Sequence, residues 1–160
     1  MDLKFKVMMI VGRPVHEVFE AVAEPEQLSS YFTTGGASGR LEAGKTVTWD
    51  FHDFPGAFPV DVDEVVPDER IVFRWDAAEG EQVADGEIKI KPAGYKTTVT
   101  MTFKPTDDGR TLVEVEEWGW RETEAGLRAS YGNCMGWSQM LAALKAWKEY
   151  GINLRDGAYK

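Results

Sequence analysis

Hydrophobic and polar positions change their period three times along this chain. From Leu3 to Val11, the residues Leu3, Phe5, Val7 and Met9 alternate with Lys4, Lys6 and Met8. That two-residue period is that of a strand with one buried face. Pro14 follows where a first helical turn accepts it, and Val15, Val18, Phe19 and Val22 then recur at helical spacing. Pro25 ends this segment and opens a second one, Glu26 to Phe32, with Leu28, Tyr31 and Phe32 inward. Thr33 to Gly39 (TTGGASG) follows neither period, and its glycines predict a mobile loop or lid.

The two-residue period then returns for roughly eighty residues. Val47, Trp49 and Phe51 form one inward row, Val60 and Val62 a second, and Ile71, Phe73 and Trp75 a third. The phase breaks at Glu64–Val66, which predicts a bulge. Ile88 and Ile90 read as a short, solvent-flanked strand; Val99, Met101 and Phe103, then Val113 and Val115, read as two more around a turn at Pro105 to Gly109. The last change is to a helix over Asn133 to Tyr150, with Trp137, Met140, Leu141, Leu144 and Trp147 on one stripe and Gly151 as its stop. Thr123 offers an earlier cap, which Gly126, Gly132 and Gly136 oppose. Strands grouped between short opening helices and one long closing helix predict an α+β domain over residues 1–160. A curved antiparallel sheet closed by a helix tends to enclose a cavity.

Composition narrows the function classes. With 160 residues, 43% hydrophobic content and six Trp, the chain can bury a sizeable core. Its 27 acidic against 18 basic residues, a formal charge of −9, disfavour nucleic acid and an anionic membrane surface. No apolar run approaches the about 20 residues of a membrane span. One cysteine, Cys134, forms no internal disulfide, so the expected setting is the cytoplasm. His16 and His52 have no ligand cluster at metal spacing, so no metal or other cofactor is expected.

Two motifs remain. Gly39 to Thr46 (GRLEAGKT) matches a phosphate-loop expression. That chemistry needs a helix after it, whereas VTWDF alternates as a strand and Glu42 brings negative charge into the cradle. We read Glu42–Lys45 as a turn. Glu117 is different. The parity of Val113 and Val115 carries to it through VEVEEWGW, placing a carboxylate on the inward face, unless the strand twists first and leaves it in solvent. An inward carboxylate costs energy unless paired, hydrated or protonated, and such groups are enriched at sites.

The opening VMMIVGRPVHEVFEAVAEPEQLSSYF resembles the start of the SRPBCC (START-like, helix-grip) superfamily. EVEEWGW and GNCMGWSQMLAALKAW resemble the ending of its branch of heat-shock-protein-90 ATPase activator homologues. Phe32 stands where that pattern usually has Trp, Glu117 where it often has His, and Glu81–Lys96 is longer than usual. The resemblance implies a curved antiparallel sheet of about seven strands wrapping the last helix, two short helices after the first strand, and a mostly apolar pocket between sheet and helix. It implies binding of a small, largely apolar ligand. Trp49, Phe51, Phe73, Trp75, Met101, Phe103, Trp137 and Leu141 would line the pocket, with Glu117 as polar anchor. A chaperone or other protein partner is the alternative, with a filled interior. A cyclase or hydrolase using Glu117 as general base ranks last, because no second polar group is evident.

Overall fold

The computed structural model describes residues 1–52, 54–82, 86 and 88–159. Its elements run β1 (Lys4–Val11), α1 (Val15–Ala23), α2 (Pro25–Ser29), β2 (Gly36–Ser38), β3 (Thr46–Phe51), β4 (Phe54–Val66), β5 (Arg70–Gln82), β6 (Ile88–Pro105), β7 (Thr111–Trp118) and α3 (Glu124–Tyr150). The strands form one antiparallel seven-stranded sheet in the order β1-β7-β6-β5-β4-β3-β2. This is the α+β class that the grouped strand periods predict and the helix-grip arrangement that the resemblance implies, with α3 lying in the concave face.

Register makes the inner face. Phe73 of β5 pairs with Val99 of β6, Val99 with Glu117 of β7, and Glu117 with Phe5 of β1. These four positions therefore form one inward row. The next inward row, Ile71, Met101, Val115 and Val7, lies toward the other end of the sheet. The bulge expected near Glu64 is present as a register shift between Val62 and Glu64. The expected strand around Ile88 and Ile90 is the first part of a longer β6, while residues 83–85 and 87 of the long Glu81–Lys96 stretch lie outside the described residues.

The closing helix is longer than its apolar stripe. Thr123 caps it, its hydroxyl accepting from Gly126 N at 3.0 Å, as N-cap residues do. Gly126 belongs to the start rather than opposing it. A Cβ there would stand 2.0 Å from the Arg121 carbonyl oxygen, so only glycine lets the chain turn tightly into the helix. Gly151 ends the helix in the left-handed conformation, φ 67°. Glu149 then accepts from Gly12 N at 2.9 Å, and Lys145 donates to the Ile10 carbonyl at 3.0 Å, fastening the helix end to β1.

Two loop readings have different outcomes. Glu42–Lys45 is the expected turn, with Lys45 paired to Glu42 at 2.6 Å and strand β3 beginning at Thr46. Thr33–Gly39 is not a free loop. Gly36, Ala37 and Ser38 pair with Asp50, Trp49 and Thr48. Gly35 N donates to Asp50 O, Ala37 N to Ser29 Oγ, and Thr33 is fully buried. The glycines here permit a sharp entry into an edge strand, and the backbone bonds hold it.

Candidate functional site

Glu117 lies at the centre of the site. The strand neither twists nor bulges before it, so the parity of Val113 and Val115 persists and its side chain is 0% exposed. Four residues donate to its carboxylate. Trp75 Nε1 reaches Oε2 at 3.0 Å and Thr97 Oγ1 reaches the same oxygen at 2.7 Å. Trp137 Nε1 reaches Oε1 at 2.8 Å. Asn133 Nδ2 bridges both oxygens, at 3.2 Å to Oε1 and 3.0 Å to Oε2.

The four donors come from three elements: β5, β6 and α3. Thr97 precedes Val99 by two residues and shares its inward parity. Trp75 pairs with Thr97 across β5 and β6. Asn133 and Trp137 lie four residues apart on α3, one above the other on the face that meets the sheet. The sequence reading singled out Trp75 and Trp137 but missed Thr97 and Asn133. The signals were present as parity in one case and an i−4 offset in the other. Their polar character kept them out of an apolar pattern.

All four donors are neutral. Burial raises the Glu117 pKa above its ordinary value, and the hydrogen bonds from Trp75, Thr97, Trp137 and Asn133 pull it back down without cancelling that rise. The nearby cations are spoken for on the outer face, where Arg74 pairs with Asp63 at 2.8 Å and Lys104 with Glu114 at 3.5 Å. Arg74 and Lys104 alternate with the inward Phe73, Trp75 and Phe103, which turns them away from Glu117.

Aromatic rings enclose the polar group. Trp49, Phe73, Trp75 and Trp137 form a complete cluster, every pair of centroids lying 5.3–6.5 Å apart. Phe32 joins it, stacking on Trp137 at 5.7 Å and meeting Trp49 and Phe51 edge-on. Phe51 in turn carries the Arg155 guanidinium 5.7 Å over its ring. Phe103 packs instead on Phe19 of α1 at 5.3 Å, and Met101 and Leu141 are buried in the same core. Of the nine residues read as a pocket lining, Trp49, Phe73, Trp75, Glu117 and Trp137 are therefore brought together directly, and Phe51 joins through Phe32.

The space expected between sheet and helix is closed by these side chains, since the rings of Trp49, Phe73 and Trp75 meet that of Trp137. Two surface hollows lie elsewhere. One, of about 340 Å³, is lined by residues such as Leu3, Trp118 and Trp120. The other, of about 210 Å³, is lined by residues such as Tyr31 and Arg155. Neither contains a member of the nine.

Two features keep the site chemically open. Trp75 and Asn133 are only partly buried, so Glu117 lies one side chain beneath the surface. The indole N–H of Trp49 is buried, with no hydrogen-bond partner among the described residues. A buried donor left unpaired costs about 1–3 kcal/mol, so a ligand offering an acceptor there gains what the protein alone forgoes. The arrangement can hold a molecule by one polar end within aromatic walls. A proton relay would need a second titratable group, and the groups touching the Glu117 carboxylate are two indoles, a hydroxyl and an amide.

Comparison with known proteins adds the following. The family described as Activator of Hsp90 ATPase homolog 1-like protein matches residues 13–149. No curated protein matches. Among solved structures, the chain is similar to the protein SSP2350 from Staphylococcus saprophyticus, with 26% identity and a TM-score of 0.72 over 97% of this chain and 96% of that one. It is similar in fold to DynU16, a putative protein in the dynemicin biosynthetic locus, at 24% identity and a TM-score of 0.75. That match covers 94% of this chain and 49% of DynU16. The Aha1 dimer from Colwellia psychrerythraea shares the fold at 16% identity and a TM-score of 0.72, over 94% and 98% of the two chains. No helix among the described residues is long and apolar enough to cross a membrane.

Proposed function

The chain belongs to the family of Activator of Hsp90 ATPase homolog 1-like proteins, and on that premise we propose that it is a single-domain, cytoplasmic, non-enzymatic binding protein. It holds a small, largely apolar ligand between the sheet and α3. The observation that carries this reading is Glu117. A carboxylate at 0% exposure, with four neutral donors converging on it, adds nothing that an apolar residue in the same row would not supply to the fold more cheaply. Its surroundings fit a polar anchor in an aromatic wall. The orphaned Trp49 N–H in the same wall is a second point at which a ligand would be oriented. Trp49, Phe51, Phe73, Trp75 and Trp137 supply the apolar surface nearest Glu117, and Met101, Phe103 and Leu141 the core that continues from it.

Closed packing means that entry displaces side chains, starting with the partly exposed Trp75 and Asn133. The same packing favours a second reading, a co-chaperone-type protein-interaction module whose interior is only a core and whose working surface is the charged outer face. Titration with the neutral fluorophore N-phenyl-1-naphthylamine separates the two. The ligand reading expects a saturable rise in probe fluorescence with quenching of the cluster's tryptophans. Absence of saturable binding overturns it and leaves the interaction module.

A further inference from the structure

Resting on the ligand reading above, we infer that the molecule taken at Glu117 is an apolar amine, whose ammonium group occupies the position now held by the Asn133 side-chain amide.

Three observations converge on that chemistry. The Glu117 carboxylate is a buried anion without a counter-cation, because all four groups bonded to it are neutral donors. The electrostatic partner it lacks is a cation, and an anionic head group brought to the same place would meet like charge.

The second observation is the Asn133 amide. One nitrogen bridges both carboxylate oxygens, at 3.2 and 3.0 Å. That bridging position is the one a charged nitrogen takes on a carboxylate, where both partners of the hydrogen bond would be ionised. Asn133 is partly exposed, so it can turn away and leave its place to a ligand. Thr97, fully buried, cannot.

The third is the surroundings. Trp49, Trp75 and Trp137 stand together at this point, with centroid separations of 5.5–6.5 Å. Such a wall accepts the apolar body attached to the ammonium. The formal charge of −9 draws cations toward the molecule from a distance.

Competition against N-phenyl-1-naphthylamine tests this, using 2-phenylethylamine and its uncharged counterpart 2-phenylethanol at neutral pH. The expected result is that the amine displaces the probe about tenfold more effectively, because its ammonium adds an ion–ion attraction to the carboxylate that the neutral hydroxyl lacks. Glu117→Gln should erase that preference, bringing amine and alcohol to equal displacement. Asn133→Ala, which vacates the bridging position, should strengthen amine binding. Asn133→Lys, which supplies an ammonium from the chain itself, should abolish the amine preference, and it gives an answer even if Glu117→Gln does not fold.

Equal displacement by amine and alcohol, with the probe still bound, overturns the amine assignment alone. An amine preference that persists in Glu117→Gln also overturns it, because the preference would then come from net charge. Failure of the probe to bind overturns the ligand reading beneath it.

Discussion

Glu116 and Glu117 are neighbours on β7, and the pleat sends them to opposite faces of one sheet. Glu116 points outward, 3.6 Å from Lys6, beside Glu114, which meets Lys6 and Lys104. This pattern runs across the outer face, where Arg74 meets Asp63 and Lys96 meets Asp61 and Asp76. Every such carboxylate has a cationic partner and some exposure to solvent. Glu117 has neither; it has neutral indole, hydroxyl and amide donors and an aromatic wall. The outer pairs are screened by solvent and contribute little individually. The inner charge is held by neutral donors that converge on it from β5, β6 and α3, and that makes it specific.

The largest break in this comparison is Trp137→Ala. It empties the centre of the ring cluster and removes a donor to Oε1, so a loss of about 3–5 kcal/mol is expected in a urea melt. An unchanged midpoint would mean that α3 does not seat this ring against the sheet.

Next comes the paired experiment on the two glutamates. Glu117→Gln preserves shape but turns an amide N–H₂ toward donors that need an acceptor, so about 1–3 kcal/mol should be lost with the fold retained. Glu116→Gln should stay within about 0.5 kcal/mol. Similar losses at both positions would erase the distinction drawn between the faces.

The pH dependence sharpens it further. Because burial raises the Glu117 pKa, the folded chain keeps this proton to higher pH than the unfolded chain. Stability contributed at this position is therefore greatest below the unfolded value of about 4.3 and falls as pH rises through the folded one. The groups facing it (Trp75, Thr97, Asn133 and Trp137) do not titrate in this range. Asp61 on the outer face behaves oppositely. The Thr46 hydroxyl and then the Lys96 ammonium lower its pKa, so its contribution is present above about 3.9 and lost as pH falls through the folded value. Stability difference curves for Glu117→Gln and Asp61→Asn should slope in opposite senses. Carbon-13 titration of the side-chain carboxyls reads the same two shifts directly.

The smallest effect belongs to the outer pairs. Arg74→Ala should cost no more than about 1 kcal/mol and less in high salt. Away from both faces, amide exchange at Gly35 and Ala37 should be slow in the free protein, because their N–H groups are bonded to Asp50 and Ser29. Fast exchange there would restore the lid that the glycines first implied.

What the sequence determined by itself is everything that follows from period. Alternation placed Trp49, Phe73, Val99 and Val113 inward, and the same parity carried Glu117 to the inner face while sending Arg74 and Lys104 outward. The three- and four-residue steps of Trp137, Leu141 and Leu144 placed the stripe of the closing helix. These are one-dimensional properties, because a strand and a helix each fix the direction of every side chain from the residue before. Tertiary structure decided what depends on two elements meeting. Thr97 and Asn133 became partners of Glu117 only when β6 and α3 converged on β7. The Gly126 requirement appeared only as closeness to the Arg121 carbonyl. The TTGGASG stretch became a strand only because β3 offered an open edge to pair with. Whether the walls of the interior stand apart or touch is likewise a distance between elements, which no period along the chain encodes.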